Sequence, residues 1–246
     1  MGSFQTVIYE KNESLAYITL NRPEVLNSFN TQMRDDMYQI LGAIKDDDEV
    51  VAVIIKGAGD KAFCAGADLS EFLTAPSPVM ARQIRWERDV WGLFLSLPQP
   101  IIAALHGYVL GSGLELALCC DLRIAADDAQ FGFPEVELGI IPAAGGTQTL
   151  PRVVGRAQAL DMLLTARRIE AEEACAIGLV NLVVPRVELL PAAEEMAQKI
   201  AGLDQNAVRL AKQAVVRGLD LPLAEGLELE RRIAGQAFKN SRRQTH

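Results

Sequence analysis

Apolar residues follow two rhythms along this chain. Thr6 to Tyr9 and Leu15 to Leu20 alternate around the polar segment Lys11-Asn12-Glu13-Ser14, the pattern of two strands joined as a hairpin. Val51 to Ile55 is instead an unbroken apolar run after the acidic stretch Asp46 to Glu49, as expected of a strand buried on both faces. Helical spacing begins at Asn30, an N-cap type, and runs to about Ile44. It returns over Val79 to Leu97, stopping at Pro98, and over Arg156 to Thr165 and Ala171 to Ile177, where Gly178 closes the helix. A sequence of apolar strand, glycine-containing turn and helix recurs at Ile101 to Glu115 and, more weakly, at Leu122 to Gly139. After a short strand at Leu182 to Val184 the chain reads as helix only, over Leu189 to Ala201, Gln205 to Arg217 and Leu223 to Lys239. The pattern predicts an α/β fold over residues 1–190 and a helical region over 191–246.

Composition narrows the function classes. With 246 residues and 50% hydrophobic positions the chain can bury one sizeable core. A net charge of −8 argues against a nucleic-acid surface, which needs clustered Lys and Arg. Cys64, Cys119, Cys120 and Cys175 show no paired CxxC spacing and are expected to be reduced, buried, small apolar residues. Two histidines, His106 and His246, are too few for a histidine-rich metal site, so no metal is expected. The start MGSFQT fits a myristoylation pattern at Gly2, but a strand beginning at Thr6 and the lack of a second membrane signal argue against it. No secretory leader or membrane-spanning run is read in the sequence, and the expected location is the cytoplasm.

The segment from Leu105 to Leu150 carries the chemistry signal, because it sets Glu115 and Glu135 in apolar, glycine-rich surroundings. Carboxylates are costly there unless they are paired or used. Gly111-Ser112-Gly113-Leu114-Glu115 ends a β run and opens a helix whose first N–H groups can face a ligand. Ser112 and Glu115 equally spell a capping box, Ser-x-x-Glu, in which the glutamate only closes the helix end. Ala65-Gly66-Ala67-Asp68 offers a second loop of exposed amides, and two such loops could supply the two donors of an oxyanion hole. Pro142 to Thr147 reads as a helix N-terminus or as a small-residue packing surface. Gly-Lys never occurs, no GxGxxG follows a strand, and no GxSxG elbow is present, so phosphate loops and common serine hydrolases are excluded. His106 is expected to be a hydrogen-bonded residue at a strand end rather than a base.

Taken in order, Leu20-Asn21-Arg22-Pro23 with Leu26-Asn27, FCAGADL at 63–69, AALHGYVLGSGLELALCCDLRIA at 103–125, FGFPEVELGIIPAAGGTQTLPR at 131–152 and AIGLVNLVVP ending at Pro185 resemble the enoyl-CoA hydratase/isomerase (crotonase) superfamily. The resemblance implies a spiral of ββα repeats with a helical C-terminal trimerisation region, assembled as a homotrimer or a dimer of trimers. It implies an acyl-CoA thioester as substrate, with no separate cofactor, no nucleic acid and no membrane partner. The thioester oxygen is expected between the backbone N–H groups of Ala67 and Ser112, and the catalytic carboxylates are expected at Glu115 and Glu135. Val25, Ala65, Asp68, Leu69 and Gly111 fall on CoA- or substrate-contacting positions. In the family's isomerases the first carboxylate is usually replaced, so its retention at Glu115 implies addition of water to a 2-enoyl-CoA. Three positions depart from the family pattern: Ser112 stands for a glycine, Glu24 for a basic residue, and NSRRQTH for a final helix. The alternatives within the resemblance are another acyl-CoA reaction, such as double-bond isomerisation or hydration of a branched or cyclic ester, or a non-catalytic RNA-binding relative.

Overall fold

The computed structural model describes residues 4–72 and 88–244, with side chains to residue 237. Gly2 and residues 79–87 of the helix expected over residues 79–97 lie outside this, as do the side chains of Phe238 and Lys239. What is described of that helix is α3, Val90–Ser96, which begins where the Asp89 side chain accepts the Gly92 N–H.

The opening hairpin is β1, Val7–Asn12, paired antiparallel with β2, Leu15–Leu20. Helix α1, Thr31–Asp46, starts where Asn30 Oδ1 accepts the Met33 N–H, the cap expected from its side chain. Three ββ units follow: β3, Ala52–Gly57, with β4, Ala62–Cys64; β5, Ile101–Leu105, with β6, Tyr108–Leu110; and β7, Leu122–Ala126, with β8, Gln130–Gly132. The first strand of each unit joins a six-stranded sheet, β1-β2-β3-β5-β7-β10, closed by β10, Leu182–Val184, and the second joins a four-stranded sheet, β4-β6-β8-β9, closed by β9, Ile169–Glu170. Each repeat read as one strand is therefore two short strands in different sheets. The break between β5 and β6 falls at Gly107, where φ is +51° and a Cβ would sit 2.1 Å from the Lys61 carbonyl oxygen. Only glycine permits that corner.

Burial on both faces explains the unbroken apolar strands. Val53, Ile55, Ile101 and Ala103 belong to the main core under α1, whereas Ala52, Ile54, Ile102 and Ala104 face a second core. Helix α7, Leu189–Ala201, covers that second face with Leu189, Ala193 and Ala197. Residue 190, where the α/β region was expected to end, thus falls within a helix that packs on the sheet.

The units after β8 close the fold. Helix α2 is Leu69–Phe72, α4 is Ser112–Leu118, and α5 is Gly146–Thr165, bent at Gly155. The sequence signal at Arg156 corresponds to the second half of α5 only. The short strand β9, Ile169–Glu170, leads into α6, Ala171–Ala176, and β10, Leu182–Val184. Helices α8, Gln205–Gly218, and α9, Leu223–Gln244, end the described chain. Lys212 ties α8 to the body through the Gln99 carbonyl and Asp121.

One polar side chain organises the first loop. Asn27 is fully buried, its Nδ2 donating to the Ala58 and Ala62 carbonyls at 2.9 Å each and its Oδ1 accepting from the Arg22 N–H. Replacing Asn27 with alanine strands three backbone groups, and each buried loss costs about 1 kcal/mol. Chemical denaturation is expected to show a destabilisation of about 3 kcal/mol.

Candidate functional site

Strands β4, β6 and β8 run parallel, so the segments leaving their C-terminal ends emerge on one side of the smaller sheet. They are Ala65 to Asp68, Gly111-Ser112, and Phe133 to Glu135. The first two touch: a Cβ on Gly111 would lie 3.6 Å from the Gly66 Cα. Ala67, Ser112, Glu115 and Glu135 accordingly line one cavity of about 310 Å³, together with Phe29, Arg34, Trp91, Ile140, Ile141, Ala143 and Ala144. A cavity of about 590 Å³ between α3 and α8 is larger, but none of the expected residues lines it. Its size therefore says nothing about the chemistry.

The amides of the two loops are arranged to receive an acceptor. Around Ala67 the neighbouring groups are engaged, with Gly66 O accepting from Phe29 and Asp68 N donating to Phe29 O. Among the described residues the Ala67 and Ser112 N–H groups meet no acceptor. Ser112 is the first residue of α4, where the helix leaves its N–H groups unpaired.

Glu115 does not form the capping box. Gly111 is the N-cap, with φ +50° and ψ −123°, which puts Glu115 one residue too far along the helix to fold back. Its Oε1 instead accepts the Ala144 and Gly146 N–H groups, at 2.8 Å each. Gly146 opens α5, so this carboxyl sits at the positive end of a second helix while remaining only 2% exposed. The PAAGG segment is thus a helix N-terminus with a carboxylate as its occupant.

Glu135 lies in a one-turn 3-10 helix, Pro134–Leu138, with its Oε1 2.8 Å from where a Gly111 Cβ would be. Its Oε2 is buried and has no hydrogen-bond partner among the described residues. Burial, aided by the nearby negative charge of Glu115, pushes its pKa up to about 7. One carboxyl is held by two amide donors and the other is poised to carry a proton near neutrality. That division is what acid/base chemistry needs of a carboxyl pair.

The expected CoA-contacting positions are distributed outside this cavity, apart from their neighbours Ala67 and Ser112. Ala65 N is already bonded to Leu26 O, Asp68 pairs with Arg22 at 2.9 Å, and Val25 and Leu69 are exposed. Phe29 and Arg34 line the site without having carried a sequence signal, and the Phe29 and Trp91 ring centroids lie 5.5 Å apart with their planes tilted by 35°. His106 lies elsewhere, lining a cavity with Lys56 and Arg186, so Ser112 and His106 do not form a hydrolytic pair. Burial and the Arg186 charge push its pKa down to about 4. Its carbonyl accepts from Phe63, and its ring Nε2 has no partner among the described residues. Cys64, Cys119 and Cys120 are buried as expected, but Cys175 is exposed because it lies on the outer face of α6. Among the described residues no cluster could hold a metal, and no helix is long and apolar enough to cross a membrane.

A family model described as enoyl-CoA hydratase/isomerase matches residues 10–245. A short-chain-enoyl-CoA hydratase of Clostridium acetobutylicum is 43% identical over 94% of this chain and 89% of its own length. A crotonyl-CoA hydratase of Syntrophomonas wolfei is 43% identical over 96% and 91%. The crystal structure of an enoyl-CoA hydratase from Bacillus anthracis superposes with a TM-score of 0.89 at 40% identity, covering 96% of this chain and 97% of that one.

Proposed function

The chain belongs to the enoyl-CoA hydratase/isomerase family, and on that premise we propose that it adds water across the 2,3 double bond of an enoyl-CoA thioester. The observation that carries this reading is the meeting of two carboxyls and two unengaged amides in one cavity. Its fold is the crotonase-like spiral, with one strand of each repeat in each sheet.

In the proposed step the thioester oxygen accepts hydrogen bonds from the Ala67 and Ser112 amides. Glu115 orients a water and takes its proton as the oxygen bonds to C3. The C2–C3 π electrons move toward C1, and negative charge collects on the thioester oxygen as an enolate. Each donor of this kind contributes about 3 kcal/mol to the transition state. The enolate collapses as Glu135 gives its proton to C2, completing the addition of one OH and one H. Exchange with solvent then returns a proton to Glu135 and removes one from Glu115. The reaction is redox-neutral and the developing charge is met by amides, so no cofactor enters the proposal.

Val25, Ala65, Asp68, Leu69 and Gly111 are proposed to contact the CoA or acyl portions, with the Asp68–Arg22 pair holding the loop. We assign catalysis to residues 1–190 and assembly as a trimer or dimer of trimers to 191–246. In support, Val215, Leu219, Leu223 and Leu227 on and between α8 and α9 are exposed. Cytoplasmic residence completes the proposal, consistent with an acyl-CoA substrate.

The test follows the loss of enoyl-thioester absorbance with crotonyl-CoA as a function of pH. Glu135 must hold a proton to deliver it, and its pKa is about 7. kcat/KM for hydration is therefore expected to be level below pH 7 and to fall about tenfold per unit well above it. A profile that stays flat from about pH 6 to 9 removes Glu135 from the proton-donating role.

A further inference from the structure

Among the described residues that line the cavity with the two carboxyls there is one cation, Arg34. Phe29, Trp91, Ile140 and Ile141 share the walls with it, beside Ser112 and the two carboxyls. Arg34 is the fourth residue of α1, next to the core residue Met33, and its side chain is only 20% exposed. A guanidinium in such a setting needs acceptors for its donors.

The protein supplies only part of that need. Nε and Nη2 of Arg34 both go to Asp35 Oδ1, at 2.9 and 2.7 Å. Asp35 is shared, because its Oδ2 pairs with Arg88 at 2.5 Å. Two arginines share one aspartate, and Arg34 Nη1 has no acceptor among the described residues. The charge is not spent on the catalytic acid either. An adjacent guanidinium would pull Glu135 down, whereas burial and Glu115 hold it up near 7.

We propose that Arg34 receives a carboxylate on the acyl group, so that the preferred substrate is the CoA monothioester of a short unsaturated dicarboxylic acid. This rests on the acyl-CoA reading above and adds the class of acyl chain. The thioester end is fixed at the Ala67 and Ser112 amides, and the far end of the chain meets the unused face of the guanidinium. A neutral alkyl chain offers that donor no acceptor and displaces water from beside it, so a chain ending in an acceptor is preferred. A carboxylate forms a charge-assisted pair with the free edge of the guanidinium. Arg34 is thus a specificity residue rather than a catalytic one.

Binding and turnover separate this inference from the hydratase reading. In calorimetry, glutaryl-CoA is expected to bind wild type about 50-fold more tightly than valeryl-CoA, a saturated thioester of equal carbon count. Arg34→Met is expected to abolish that preference while changing valeryl-CoA affinity less than about threefold; Arg34→Lys, which keeps the charge, retains part of it. In turnover, glutaconyl-CoA is expected to lose about 50-fold in kcat/KM in Arg34→Met, carried by KM, with a several-fold smaller loss for 2-pentenoyl-CoA. Equal binding of the two saturated thioesters by wild type, or equal losses for both in Arg34→Met, overturns the proposal. If the binding preference is present and neither unsaturated ester is hydrated, the hydratase reading fails while the anion site stands.

Discussion

Glu115→Gln is expected to lower kcat for crotonyl-CoA hydration by about 10³-fold with little change in KM, because a general base of this type contributes about 10²–10⁴. The substitution keeps an oxygen for the Ala144 and Gly146 amides, so α4 and α5 stay joined. What is lost is the ability to take a proton from water. Denaturation midpoints near those of wild type, measured beside the kinetics, distinguish lost chemistry from lost structure. Undiminished turnover in the folded variant would remove Glu115 from the reaction and leave its carboxyl as a clamp between two helices. The same variant also tests the coupling between the acids. Glu135 is raised partly by the charge of Glu115, so removing that charge is expected to shift the high-pH limb of kcat/KM downward.

Gly111→Ala is expected to inactivate the protein as thoroughly, by geometry instead of chemistry. At φ +50° and ψ −123° a residue with a side chain is strained by about 1–3 kcal/mol. The added methyl would also sit 2.8 Å from Glu135 Oε1 and 3.5 Å from its Cδ. Backbone or carboxyl must move, and either movement disturbs the Ser112 amide or the proton donor. A displacement of about 1 Å at reacting groups costs about 10² in rate, and two groups are affected here, so a fall in kcat of at least about 10³-fold is expected. For a chain of this length the strain corresponds to a melting temperature lower by about 5 °C. Activity within tenfold of wild type would show that Glu135 is not held where its proton matters.

The two variants bear on how the site is encoded. Asn30, Gly178 and the doubly buried strand at 51–55 were legible because each depends on its immediate neighbours: a side chain capping its own helix, a glycine closing one, or an apolar run too continuous for a one-sided strand. The two amide loops could be read as pairs of small residues after apolar strands. Their convergence could not be seen without pairing β4 with β6 and β6 with β8. The Ser-x-x-Glu at 112–115 shows the limit of local reading. The spacing alone favours the cap, and that reading was overturned when Gly111 began the helix one residue early and the α5 N-terminus arrived to hold the carboxyl.

Phe29 and Arg34 carried no signal at all, since an aromatic or charged residue beside or on an amphipathic helix has many ordinary explanations. Their placement follows from how α1 and α3 pack over the site, which is a property of the assembled core. The sequence by itself determined the α/β class, the principal helices with their caps and the doubly buried strands, and it marked two glutamates and two small-residue loops as candidates for chemistry. Those follow from side-chain periodicity, capping and backbone freedom, all of which act over a few residues. Only the tertiary structure decided that Glu115 and Glu135 share one cavity in unlike electrostatic surroundings, and that an arginine with a spare donor completes its wall. Burial and mutual charge depend on distances between segments far apart in the chain, and those distances exist only once the two sheets and their helices have packed.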